Sequence, residues 1–98
     1  MRFVLELTGT AIEDLTCFKK YEQRLILDQI EVQLTYEPAT ETRNRKPLEP
    51  NALADWELRI GVYRVFYDVD ATQPAVTIKA VGYKEHNRLF IGGKEYVL

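Results

Sequence analysis

Apolar and polar positions first alternate and then change period along the chain. Phe3, Leu5 and Leu7 fall on one side of an extended segment, so residues 2–7 are predicted to form a strand. Thr10-Ala-Ile-Glu13 has the spacing of a capping box, in which a hydroxyl and a carboxylate satisfy the first free N–H groups of a helix. Ala11, Ile12, Leu15 and Phe18 continue at helical spacing to about Lys20, and Lys19 and Lys20 suit a helix C-terminus. Residues 21–36 carry both periods. Ile26, Leu27, Ile30 and Leu34 share one side of a helix, whereas Ile30, Val32, Leu34 and Tyr36 alternate as a strand does. The unbroken run of helix formers from Glu22 to Gln29 predicts a helix, which Pro38 ends.

Residues 37–54 hold Pro38, Asn44, Pro47, Pro50 and Asn51, and are predicted to form a long loop of the kind that often carries function. A hairpin follows. Trp56, Leu58 and Ile60 alternate with Asp55, Glu57 and Arg59; Gly61 supplies turn freedom; Tyr63, Val65, Tyr67 and Val69 alternate with Arg64, Phe66 and Asp68. After a turn at 70–74, residues 75–83 form a further strand, with Val76, Ile78 and Ala80 on one face and Thr77, Lys79 and Val81 on the other. Gly92-Gly93 predicts a small terminal hairpin. The expected order is β-α-α-β-β-β in one domain, residues 1–98: an α+β fold with two N-terminal helices packed on a small antiparallel sheet.

Composition changes this picture little. Charged residues make up 29% and hydrophobic residues 46%, values typical of a globular domain, and no apolar run is long enough to span a membrane. The one cysteine, Cys17, is expected to be buried beside Phe18; an unpaired thiol fits a reducing cytoplasm. One His and one Cys do not make a metal site, and neither a metal nor another cofactor is expected. The net charge of −2 is unevenly spread. Residues 1–42 carry four Lys/Arg against eight Asp/Glu, and residues 43–98 carry nine against seven. Any surface facing nucleic acid therefore belongs to the C-terminal half. The densest basic cluster, Arg43, Arg45 and Lys46, lies in the long loop. No long exposed apolar face is legible.

The hairpin has the pattern hydrophobic-Arg-x-Gly-x-Tyr-Arg-hydrophobic-x-Tyr, from Leu58 to Tyr67. With Asn44, Lys46 and Leu48 before it, and Ala80-Val-Gly-Tyr-Lys84 after it, nearly the whole chain resembles the RelE/ParE family of bacterial toxins. This resemblance implies a cytoplasmic toxin of a type II toxin–antitoxin pair, with a cognate antitoxin as partner. RelE-like members cut messenger RNA in the ribosomal A site; ParE-like members share the fold and inhibit gyrase. Carried over by position, the hairpin Arg is Arg64 and the Arg after the last strand becomes Lys84, while the catalytic Tyr falls on Phe90 and the strand lysines fall on Asp55 and Glu57.

RNA cleavage through a 2′-OH needs a base, cations for the phosphorane and an acid, and no metal. A two-residue loop at Ile60-Gly61 would set Glu57 opposite Arg64. The candidate catalytic set is then Glu57 as base, Arg64 as clamp, Lys84 as a second cation and His86 as acid. Arg43, Arg45, Lys46 and Arg59 are the candidate RNA contacts. The rival reading is a binding module without chemistry, either a gyrase inhibitor or a toxin that has kept only antitoxin binding. A structural adaptor is the third.

Overall fold

The structure, a computed structural model, describes residues 1–98. The N-terminal strand is β1 (Val4–Leu7), with Leu5 and Leu7 half-buried and Val4 and Glu6 exposed. Helix α1 (Gly9–Leu15) is shorter than its apolar spacing predicts and begins earlier. Its cap is Thr8, whose Oγ1 accepts the Ala11 N–H at 3.1 Å, so the box expected at Thr10 and Glu13 does not form. Lys19 and Lys20 start helix α2 (Lys20–Leu34) instead of ending α1. Glu22 reaches back to accept the Lys19 N–H at 2.9 Å and so completes the start of α2. Helix wins over strand in residues 20–34 because Ile26, Ile30 and Leu34 make one buried stripe. Leu27 is exposed.

The long loop contains a strand, β2 (Arg45–Pro47), which pairs with β3 (Trp56–Ile60). β3 turns at Gly61-Val62 into β4 (Tyr63–Asp70), and β5 (Ala75–Glu85) follows. The turn thus lies one residue later than the sequence predicts. A tight turn at His86-Asn87, both with positive φ, leads to β6 (Arg88–Ile91), and Gly92-Gly93 leads to β7 (Lys94–Glu95). The sheet order is β2-β3-β4-β5-β6-β7, antiparallel throughout, with β1 added parallel to the first half of β5. Two helices on a mainly antiparallel sheet make this the expected α+β fold.

One extra residue in β5 reorganises both faces of the sheet. Phe66 pairs with Ala80 but Tyr67 pairs with Ile78, leaving Lys79 as a bulge. The bulge reverses the alternation. Val81 joins Val76 and Ile78 in the helix-side core, with Leu58, Val65, Tyr67, Ile26, Ile30 and Leu34, whereas Ala80 turns to the other face. There it meets Ala54, Phe66 and Leu89 in a second small core, flanked by Leu48, Leu53, Ile91 and Tyr96. The expectation of Ala80 beside Val76 and Ile78 fails for this reason, because a period-2 reading cannot register an inserted residue.

Beside the bulge, the buried Asp14 carboxylate on α1 accepts the Val81 N–H at 3.0 Å. Arg45, on the helix side of β2 opposite Leu58, donates to Gln33 O, Gln33 Oε1 and Thr40 O, each at 2.9 Å. Tyr67 donates its hydroxyl to Pro38 O at 2.7 Å. Those bonds pin the segment after α2 to the sheet. No helix is long and apolar enough to cross a membrane.

Candidate functional site

The pleat places Lys46, Glu57, Arg59, Arg64, Gly82 and Lys84 on the sheet face turned away from the helices. Lys46 pairs with Glu57, Arg59 pairs with Arg64, and Arg64 pairs with Gly82. Glu57 is therefore not opposite Arg64, because the later turn shifts the register and sets it opposite Phe66. It is the diagonal neighbour of Arg64 and remains on the same face. Its carboxylate takes a closer partner, with Arg59 Nε 2.9 Å from Glu57 Oε1.

Two arginines thus pair directly across the β3–β4 ladder, Arg59 turning its guanidinium to Glu57 and Arg64 turning its own to the hairpin turn. Like charges in that relationship repel. The Arg64 guanidinium donates through Nη1 to Gly61 O at 2.6 Å and to Tyr63 O at 2.9 Å, while its Nε is buried without a partner. Burial pushes its pKa down; the Glu57 carboxylate opposes this, and the Arg59 charge adds a smaller push downward. Such a group gains from an anion brought to it.

Lys84 lies next along the face. A cavity of about 230 Å³ is lined by Glu57, Lys84, Arg88, Leu89, Glu95 and Tyr96, with the C-terminal residues as its rim. Glu57 is nearly buried in its wall, with a side chain 5% exposed. Gly82 permits the close approach of β6 that shapes this end of the sheet, since a Cβ there would lie 2.2 Å from Phe90 O.

The other expected residues fall out differently. Arg43 is exposed, and the Asn44 carbonyl beside it accepts the Arg59 N–H at 2.8 Å, so its backbone lies beside the end of β3. Lys46 is half-buried and 3.7 Å from Glu41. Arg45 does not join the site, because its guanidinium is turned inward and consumed by backbone and Gln33 oxygens, leaving the residue 8% exposed. His86 does not join it either. It sits in the exposed β5–β6 turn, four residues and about 13 Å of strand beyond Gly82. Cys17 is exposed rather than buried, because α1 ends before reaching it.

Tyr96 lines the candidate site without belonging to the expected set. Its N–H bonds Leu89 O at 2.9 Å, which brings the ring over the face that holds Lys84. The signal was present in the Gly92-Gly93 turn. A two-residue loop there sets Tyr96 opposite Leu89, and Leu89 is the partner of Lys84. Phe90 instead faces the helix side, stacked on Tyr83 with centroids 5.3 Å apart.

No family model and no curated protein sequence matches this chain. Solved structures do. A chain of the toxin–antitoxin complex RelBE2 from Mycobacterium tuberculosis aligns with a TM-score of 0.74 and 25% identity, over 86% of this chain and 100% of that one. A chain of the RelE–RelB complex from Pyrococcus horikoshii aligns with a TM-score of 0.70 and 23% identity, over 88% of this chain and 99% of that one. With its two helices, its antiparallel sheet and this likeness over most of its length, the chain is RelE-like.

Proposed function

We propose that this protein is the toxin of a toxin–antitoxin pair and a metal-independent endoribonuclease that inhibits translation by cutting messenger RNA. The likeness to RelE structures solved within toxin–antitoxin complexes supports the toxin and its antitoxin partner. The observation that carries the RNA reading is Arg59 directly across from Arg64, with Lys84 alongside on one open face. Three cations gathered there match a phosphodiester that gains charge as it becomes a phosphorane.

In this mechanism Arg59, Arg64 and Lys84 hold the scissile phosphate, with Arg43 and Lys46 at the rim for flanking phosphates. Glu57 takes the proton of the 2′-OH. The 2′-oxygen bonds to phosphorus, the bond from phosphorus to the 5′-oxygen breaks, and Tyr96 gives its hydroxyl proton to the leaving oxygen. The products are a 2′,3′-cyclic phosphate and a 5′-hydroxyl. Tyr96 replaces His86 as the acid because it lines the same cavity as Glu57 and Lys84. The nucleophile belongs to the RNA, so the chemistry calls for no metal.

The test is cleavage of a labelled RNA, with and without ribosomes, in excess chelator. The expected result is cyclic-phosphate ends, lost in Glu57→Gln and strongly reduced in Tyr96→Phe. Absence of cleavage under both conditions contradicts the nuclease assignment.

The Glu57–Arg59 ion pair favours a second reading, because it neutralises one cation and occupies the base. In that reading the domain is a non-enzymatic binding module, a gyrase-type inhibitor or a chain that only binds antitoxin. The two readings part on Glu57. In a nuclease Glu57→Gln abolishes cleavage and arrest together; in a gyrase-type inhibitor it leaves growth arrest intact, and a chain that only binds antitoxin arrests growth in neither form.

A further inference from the structure

The outer face of α2, turned away from the sheet and the cationic site, carries an exposed stripe. Tyr21, Leu25, Asp28, Val32 and Tyr36 follow at helical intervals, opposite the buried Ile26, Ile30 and Leu34. Tyr36 comes just after Thr35, which is still in helical conformation. Four of the five are apolar or aromatic and largely open to solvent: Tyr21 69%, Leu25 43%, Val32 70% and Tyr36 62% exposed.

The order of these residues is the unusual part. Tyr, Leu, a polar pair Asp28-Gln29, Val and Tyr recur with spacings that read the same from either end. A sequence of this kind complements its own reverse. We infer that α2 is a self-association surface and that its partner is a second copy of this chain, packed antiparallel about a twofold axis between Asp28 and Gln29. That axis sets Tyr21 opposite Tyr36, Leu25 opposite Val32, and Asp28 opposite Gln29 of the second copy. It also sets Lys20 opposite Glu37.

Two further observations agree with this occupant. A groove of about 300 Å³ beside Tyr21 is lined by Lys20, Tyr21 and Arg24, and it lies where Tyr36 of the second copy arrives. Neither Lys20 nor Arg24 is ion-paired within the chain, so both are free to lie against an incoming aromatic ring. Glu37 has an exposed side chain, 68%, and only a loose 3.8 Å contact with Arg45, so it can meet Lys20 across the axis. The four exposed side chains offer roughly 450 Å² per copy at ordinary residue areas, or about 900 Å² in all, the size of a transient interface. The dimer is therefore reversible, and it leaves the cationic face open on both copies.

Sedimentation equilibrium of the full chain, from about 1 to about 200 μM, tests this over the range expected of a transient contact. The wild type is expected to show a reversible monomer–dimer equilibrium. Leu25→Glu should weaken it by about tenfold or more, as loss of a central apolar contact does. Lys20→Glu should weaken it by several-fold, and Lys20→Glu combined with Glu37→Lys should restore it. All these positions are exposed, so each variant is expected to fold, which circular dichroism checks. A wild type that stays monomeric throughout overturns the inference, as does a dimer indifferent to Leu25→Glu. A monomer that loses antitoxin binding on Leu25→Glu assigns the stripe to that partner and overturns it as well.

Discussion

Arg59 and Arg64 face each other across the β3–β4 ladder, and Arg64 keeps its buried Nε without a partner. An arrangement that costs stability in the free protein is expected where a ligand repairs it. Arg64→Met keeps the length of the stem and removes the Arg59 repulsion and the orphaned donor, but it also removes the Glu57 attraction and the bonds to Gly61 O and Tyr63 O. The two sides largely offset, and the expected outcome is a stability within about 1 kcal/mol of the wild type. RNA cleavage should fall by about 10²-fold or more, the usual cost of a lost transition-state donor. Paired calorimetry and cleavage assays check both outcomes.

Asp14 supplies a pH signature. Burial raises its pKa above the ordinary 3.8, with the Val81 N–H lowering it and Glu13 raising it further. The folded state therefore binds this proton more tightly than the unfolded state does. The favourable contribution is full below the ordinary carboxylate value and is lost as pH climbs through the raised one, so the ionised group burdens the fold at neutral pH. Asp14→Asn keeps an oxygen for the Val81 amide and carries no charge. It should raise the melting temperature at pH 7, with the advantage shrinking as pH falls toward 4. A melting series across that interval reads the result.

Tyr67 and Tyr63 both bridge the hairpin to other elements, with unequal consequences. Tyr67 is fully buried, its phenol pushed up by burial, and it is the donor to Pro38 O. Tyr67→Phe strands that carbonyl and should cost about 1–3 kcal/mol. Tyr63 donates to Glu22 Oε2 at 2.6 Å, an acceptor that water can reach; this bond lifts the Tyr63 pKa to about 12 and lowers that of Glu22. Tyr63→Phe should cost less than Tyr67→Phe. Chemical denaturation of the two variants ranks them.

Gly82 tests how tightly the site depends on the β5–β6 approach. The Cβ of Gly82→Ala would stand 2.2 Å from Phe90 O, which is main chain and has to move. A loss of about 1–3 kcal/mol is expected. Because Leu89 and Tyr96 travel with β6, cleavage should fall more than the residual folded fraction accounts for. Activity normalised to folded protein separates the two effects.

Much of this was legible in the sequence, and the misses share a cause. The hydrophobic period located both helices and the hairpin, since Ile26, Ile30 and Leu34, and Leu58 with Val65, have to reach one core. It gave no sign of Thr8 as the cap, because both Thr8 and Thr10 are plausible and the choice follows from where β1 ends. Register was the weaker element. Gly61 marks a turn, but either Ile60-Gly61 or Gly61-Val62 fits the pattern, and one residue decides whether Glu57 or Arg59 faces Arg64. The Lys79 bulge leaves no mark in a two-fold alternation. Arg45 looked like its neighbours Arg43 and Lys46, and only the three-dimensional path of α2 shows that its charge is spent on Gln33 and Thr40.

The most direct test of the central claim is induced expression of the wild type beside Arg64→Ala, with growth followed and messenger RNA 5′ ends mapped. Growth arrest with discrete new 5′ ends, both absent in Arg64→Ala, is the predicted result. Arrest without new 5′ ends, or cleavage that persists in Arg64→Ala, contradicts the account.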